Sequence, residues 1–302
     1  MNDIIVTDRL TKSYGKRTVV DQVDLRVPQG CVYGFLGPNG SGKSTTMKML
    51  LSLIRPTHGG VEVLGQPMNR STRRQLLGQI GSLIEAPPGY AHLTGRENLG
   101  LVQRQLGLDR GQVDRAVHIV RMQDQLDKKV ANYSLGMKQR LGIALALARE
   151  PRLLILDEPT NGLDPAGIEE MRDLLRRLAD NGVTVMVSSH LLDEIDKMAS
   201  VIGVLKEGRM IFQGTRRELF AASTPDVVVR SSAPHQVQSI LARHLPAQVE
   251  GHEVRINGLG EPATAQMIAQ LAREEIDLYE VRREAQSLEK VFMNITGGGG
   301  AL

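Results

Sequence analysis

Eight consecutive residues, Gly37-Pro38-Asn39-Gly40-Ser41-Gly42-Lys43-Ser44, fit the pattern G-x-x-x-x-G-K-[ST]. Phosphate binding is the chemistry they suit. The glycines let the backbone turn tightly and aim several N–H groups at one point, at the positive end of a following helix. Lys43 then reaches β- and γ-phosphates, and the Ser44 hydroxyl ligates Mg²⁺. A second constellation is Leu153-Leu154-Ile155-Leu156-Asp157-Glu158, an apolar run ending in two carboxylates. Asp157 suits Mg²⁺ coordination beside Ser44, and Glu158 suits orienting or deprotonating a water. A third is Ser134-Leu135-Gly136, where a helix opens with N-cap chemistry and a glycine just inside it, a combination that can receive an anion. Each has a plainer reading when taken alone: a Gly-rich turn, surface acids at a strand end, an ordinary capped core helix.

Such residues work only when folded elements present them. The loop needs a strand before it and a helix after it; the apolar run ending Phe35-Leu36 and a helical stretch over 45–53 supply both. Upstream, 4–6, 19–27 and 31–36 read as strands, and Tyr14 falls in a turn-like stretch between them. Downstream, a strand over 61–64, a helix over 70–77 and a strand over 80–84 are followed by a loop over 86–95, with Pro87-Pro88-Gly89 and Thr94-Gly95. Residues 96–121 read as mostly helical, with a break near Asp109-Arg110-Gly111. The fully apolar run before Asp157 suits the centre of a parallel sheet covered on both faces. Carboxylates at its C-terminal end then stand in the crevice where open α/β sheets bind ligands. Asp164-Pro165 has the N-cap and N1 residues of another helix. Residues 183–187 form a further apolar strand, 201–212 a hairpin, and 216–220 a short helix.

The alternation predicts a largely parallel α/β sheet with a smaller antiparallel section. From about Asp226 a second pattern begins: strands at 227–229, around 249–256 and at 278–282, and helices at 236–244 and 264–273. It reads as a small α+β appendage, and Gly297 to Gly300 as a flexible tail.

Composition narrows the functional classes. Of 302 residues, 41% are hydrophobic and 24% charged, the balance of a globular protein, and the formal charge is +3. Arg73-Arg74, Lys128-Lys129, Arg176-Arg177 and Arg216-Arg217 are scattered pairs that read as solvated helix faces. Aromatics are 3% and Trp is absent, so the basic stripe with stacking rings that nucleic acid requires is missing, and no nucleic-acid partner is expected. The single cysteine, Cys31, excludes an intrachain disulfide and a Cys-based metal cluster, and reads as a buried strand residue. Met1-Asn2-Asp3 lacks a basic-then-apolar signal, and no apolar run approaches ~18 residues. A cytosolic chain is expected, with any membrane role exerted through a partner.

Residues 1–220 carry these motifs in an order that resembles the ATPase subunits of ABC transporters. The phosphate loop is 37–44, and Ser134-Leu135-Gly136-Met137-Lys138-Gln139 resembles the family signature, whose usual form has Ser-Gly-Gly-Gln. The strand ending Asp157-Glu158, the D-loop Gly162-Leu163-Asp164, the switch histidine His190 and the adenine-stacking aromatic Tyr14 complete the likeness. The resemblance implies an α/β P-loop NTPase of ABC type: a mainly parallel sheet with helices, an antiparallel β section and a helical subdomain, with a small α+β C-terminal domain. It divides the chain into an ATPase domain (1–222), the C-terminal domain (223–296) and the tail (297–302).

The same resemblance implies ATP and Mg²⁺ as cofactors, held by Gly37, Pro38, Asn39, Gly40, Ser41, Gly42, Lys43, Ser44 and Thr45 of one subunit. Ser134 and Gly136 of a second subunit meet the γ-phosphate. Glu158 acts on the attacking water and His190 contacts the γ-phosphate. One phosphate loop cannot build two such sites, so a homodimer, or a heterodimer with a sister ATPase, is expected. It would sit at the inner face of the cell membrane on a separate permease. At the family's Q-loop position, where a Gln ligates Mg²⁺, Ile80-Gly81-Ser82-Leu83-Ile84-Glu85 carries Glu85, which can still act as a metal ligand. Glu85, the signature variant and the C-terminal Gln286-Ser287-Leu288-Glu289-Lys290-Val291-Phe292 resemble the bacitracin- and lantibiotic-resistance branch, so export of a peptide antibiotic is expected. Lipid or small-drug export is the alternative within transport. A soluble ABC ATPase acting on ribosomes or nucleic acid is the alternative outside it, but lacks the tandem domains, coiled-coil insertion or basic arm such relatives carry.

Overall fold

The computed structural model describes residues 2–85, 89–221, 224–242, 245–284 and 290–291. The chain forms two compact units, Met1–Arg216 and Arg217–Ala301. The first opens with β1 (Asp3–Tyr14), β2 (Arg17–Val23) and β3 (Arg26–Pro28), then β4 (Val32–Leu36), which runs into the phosphate loop and α1 (Lys43–Leu50). β5 (His58–Val63), β6 (Gln66–Pro67), α2 (Arg73–Leu77) and β7 (Ile80–Leu83) follow. Then come α3 (Gly95–Leu106), α4 (Arg110–Ile119) and α5 (Leu135–Leu147). The unit closes through β8 (Leu153–Asp157), α6 (Pro165–Asp180), β9 (Thr184–Ser189), α7 (Leu192–Asp196), β10 (Val201–Lys206), β11 (Arg209–Thr215) and the start of α8 (Arg216–Ala221).

Two sheets share the work. One has the order β11-β10-β4-β9-β8-β7, with β10 through β7 parallel and β11 antiparallel at one edge. Its central strands β4, β8 and β9 are buried at every residue, as apolar runs covered on both faces must be. The other is antiparallel, β2-β1-β5-β6 with β3 paired to β1. Ile5, Leu10 and Val63 from it pack with Phe35, Met47, Leu50 and Ile155 in one core. Behind the sheet, α7 lies directly on β4: a Cβ on Gly34 would stand 2.3 Å from Cγ2 of Ile195. Helix starts are fixed locally. Thr94 and Asp109 each form a reciprocal capping box, and Asp164 accepts from the Gly167 N–H with Pro165 at the first helical position. Each cap contributes about 1 kcal/mol.

Several boundaries differ from expectation. Tyr14 is the last residue of β1 rather than part of a turn. Helix α1 begins two residues early and stops at Leu50, because Ser52 turns left-handed (φ 54°) and the Leu53 and Ser52 N–H groups bond back to the Lys48 and Met49 carbonyls. That is a helix-ending motif with serine where glycine is usual. Helix α2 starts only at Arg73, since the Asn69 side chain accepts from the Ser71 and Thr72 N–H groups and holds a turn there. The reading of Pro87-Pro88, the end of the 236–244 helix, most of the 286–292 stretch and the glycine tail lie outside the described residues.

Cys31 lies in the turn before β4, half-buried, with its Sγ 3.1 Å from the Pro28 carbonyl. Burial pushes its thiol up to about 11. At pH 8 roughly one thiol in a thousand is then ionised, and thiolate is the reactive form. Iodoacetamide is therefore expected to label the folded chain slowly and the urea-unfolded chain fast; equal rates would contradict the burial.

The second unit contains β12 (Asp226–Ser231), α9 (Pro234–Leu241), β13 (Ala247–Glu250), β14 (Glu253–Ile256), α10 (Glu261–Arg273) and β15 (Leu278–Glu284). The strands lie in the order β13-β14-β12-β15, all neighbours antiparallel, the arrangement of a split βαβ ferredoxin-like unit. Val227, Val229, Val254 and Ile256 pack under Val237, Leu241, Met267 and Leu271 of the helices. Beside Val228, Arg282 grips Glu253 through two bonds of 2.8 and 2.9 Å and holds that carboxyl below its ordinary range.

Candidate functional site

The phosphate loop turns into α1 at Gly42, whose φ of 106° suits glycine alone. A Cβ there would stand 2.7 Å from the Val19 carbonyl oxygen. Lys43 is buried and donates to the Gly37 carbonyl at 2.6 Å and the Pro38 carbonyl at 3.3 Å. Its ammonium is 3.6 Å from Oε1 of Glu158. Burial pushes its pKa below the ordinary value, and Glu158 and Asp157 pull it part of the way back. Over the loop is a cleft of about 190 Å³, lined by Val19, Asn39, Gly40, Gly42, Lys43, Ser44, Thr45 and Glu158. The buried hydroxyl of Ser41 has no partner among the described residues, a polar group that a bound ligand could satisfy.

The carboxylates come from the end of β8. Asp157 is buried and its Oδ1 accepts from the Ser188 hydroxyl at 2.6 Å. The same Ser188 oxygen accepts from the Glu158 N–H at 2.9 Å. Glu158 has φ 49°, a left-handed conformation that costs a non-glycine residue about 1–2 kcal/mol. Oε2 of Glu158 is 2.8 Å from Nδ1 of His190, a contact suited to an Nδ1–H donating to a carboxylate oxygen. Of these, Lys43 and Glu158 line the cleft, and His190 stands behind Glu158; a cation and a carboxylate so placed can bind an anion and take a proton from a water beside it.

Hard oxygen donors are present for Mg²⁺. Ser44 lines the cleft, and Asp157 has one oxygen engaged by Ser188. No three His, Cys, Asp or Glu side chains among the described residues group into a metal cage.

Other expected residues stand apart. Tyr14 is 53% exposed with Lys12 over its ring at 4.9 Å, and does not line the cleft. Ser134 caps α5, accepting from the Met137 N–H at 3.2 Å. Around it the signature packs on the D-loop of its own chain: a Cβ on Gly136 would lie 3.5 Å from the Leu163 side chain, and one on Gly162 would lie 2.7 Å from that of Leu135. Neither Ser134 nor Gly136 lines the cleft. Glu85 is not gathered in either; its side chain is 68% exposed and ion-paired with Lys48 of α1. Because that exposed pair contributes ~1 kcal/mol or less, Glu85→Gln is expected to keep ATP affinity within about threefold and to leave the Mg²⁺ requirement unchanged. A raised Mg²⁺ requirement in a calorimetric titration with ATP would put Glu85 in the ligand set. Ser188 and Lys48 carry no motif signal of their own. Only the run Ser188-Ser189-His190 after an apolar strand pointed near the first of them.

The ABC transporter family model matches residues 20–161. The bacitracin transport ATP-binding protein BcrA of Bacillus licheniformis is 38% identical over 99% of this chain and 99% of its own length. The chain is an ATP-binding subunit of the ABC transporter family. It is therefore an ATPase, as the phosphate loop and the Glu158–His190 pair lead one to expect. A second ABC relative, the lantibiotic transport ATP-binding protein SrtF of Streptococcus pyogenes, is 44% identical over 68% of this chain and 87% of its own. Among solved ABC subunits, cbiO1 of Clostridium perfringens superposes with a TM-score of 0.68 at 27% identity, covering 81% of this chain and 96% of that one. The expected ABC-type α/β fold is thus borne out. No helix among the described residues is long and apolar enough to cross a membrane.

Proposed function

We propose that this ABC subunit powers export of a peptide antibiotic through a separate membrane permease. The observation that carries the substrate class is the end-to-end match to a bacitracin transport protein, 99% of both chains. In this reading Lys43 and the N–H groups of residues 39–45 hold the phosphates, and Ser44 and Asp157 hold Mg²⁺, which when bound neutralises charge on the β- and γ-oxygens. Glu158 accepts a proton from the water that attacks the γ-phosphorus, while His190 fixes the carboxylate and meets the γ-phosphate. Ser134 and Gly136 serve the nucleotide of a second subunit, consistent with a helix N-terminus that lies away from its own phosphate loop. The subunit works at the cytoplasmic face of the membrane, closing as a dimer on ATP and reopening after hydrolysis. Closure shifts the permease only through a difference in its binding energy between the two states.

The test is antibiotic susceptibility of a host lacking the gene. Sensitivity to bacitracin or a lanthionine peptide should rise, and resistance should be restored by the wild-type chain but not by Glu158→Gln. Unchanged susceptibility to peptides with increased susceptibility to lipophilic small drugs would overturn the substrate and leave the ATPase standing.

A further inference from the structure

Glu158 occupies a strained backbone conformation, and such conformations persist only where neighbouring bonds over-determine them. Its own N–H is held by Ser188, and its carbonyl accepts from the Asn161 N–H at 3.1 Å. Two residues further on, Thr160 is buried and its hydroxyl donates to Oε2 of Glu194, a buried carboxylate in α7. Glu194 stands four residues after His190 and next to Ile195, which is fully buried against Gly34 of β4. The chain leaving β8 and the chain leaving β9 are therefore tied twice, by Ser188 before the reacting side chains and by Thr160–Glu194 after them. The Glu158–His190 contact lies between these ties. Oε1 of Glu194 has no partner among the described residues, so the carboxylate gains little else from its burial; a buried acid with one bond is costly to keep.

We propose that Thr160 and Glu194 are a positioning pair that holds Glu158 and His190 in register for hydrolysis. The proposal rests on the roles given to Glu158 and His190 above. Neither Thr160 nor Glu194 lines the cleft over the phosphate loop. Their bond fixes where the strained turn after Glu158 ends and where the segment carrying His190 enters α7. Without it, Glu158 can relax, and a shift of about 1 Å at a reacting group lowers rate by ~10²-fold with little effect on ground-state binding.

The test is ATPase kinetics on the full chain with separate ATP titration and thermal melts. Thr160→Val and Glu194→Leu should each lower kcat by ~10–10² while ATP affinity stays within about threefold. Thr160→Ser and Glu194→Gln keep a donor and an acceptor, and should retain most of the wild-type kcat. The double variant should be no worse than either single one, as expected for partners in one bond. Wild-type kcat in Thr160→Val, equal damage from Glu194→Gln and Glu194→Leu, or ATP affinity falling in step with kcat would each overturn the pair. Glu158→Gln, measured alongside, separates the readings. If it turns over normally the assignment of the base fails; if it is dead while Thr160→Val is normal, only the positioning pair fails.

Discussion

Glu158→Gln is expected to bind ATP and to lose hydrolysis, with kcat lower by ~10²–10⁴. The substitution keeps an oxygen 2.8 Å from His190 Nδ1 and the same side-chain shape, so the strained turn has no new reason to move. What it removes is the charge that takes the proton. It also removes the carboxylate 3.6 Å from Lys43, which competes with phosphate for the same ammonium, so ATP affinity should hold or improve. Two readouts check this: steady-state turnover, and size-exclusion chromatography in ATP, where the variant should collect as the ATP-closed dimer proposed above. Turnover near wild type would take the base assignment away from Glu158.

The second large effect is expected at Lys43. Lys43→Met should weaken ATP binding by ~10²-fold or more, since a hydrogen bond to a charged group contributes roughly 1.5–3 kcal/mol and this ammonium can make more than one. Before nucleotide arrives, the same ammonium braces the Gly37 and Pro38 carbonyls, so the loop stands ready rather than collapsed. Methionine fills the stem but leaves those carbonyls to water, and a modest loss of melting temperature is expected beside the large loss of affinity. Calorimetric titration with ATP decides it. A Kd within about threefold of wild type would mean that the backbone N–H groups alone carry the phosphates.

What could be read from the sequence was what is local in it. The phosphate loop announces itself within a few positions, because glycine, lysine and serine must follow one another along the chain to face one phosphate. The run before Asp157 gave a central strand for an equally local reason, and β8 is buried at all its residues. The caps at Ser134 and Asp164 were legible too, since a cap and its N–H partner are three residues apart. The bonds that arrange these parts were not. Ser188 reaches Asp157 across 31 positions, Glu194 reaches Thr160 across 34, and Lys48 reaches Glu85 across 37. No periodicity encodes such pairs. Nor did local propensity reveal that serine would end α1 where leucines seemed to extend it, or that the last strands would interleave as β13-β14-β12-β15.

Gly34 gives the site a vulnerability on its blind side. Only bare backbone separates β4, which leads into the phosphate loop, from Ile195 of α7, and a single added methyl group would intrude to 2.3 Å. A wall one backbone thick has no cushion of rotamers to absorb a displacement. Movement of the strand under the loop therefore reaches the segment carrying His190 as a push, and a substitution at this position would silence the site from behind without altering any group that meets ATP.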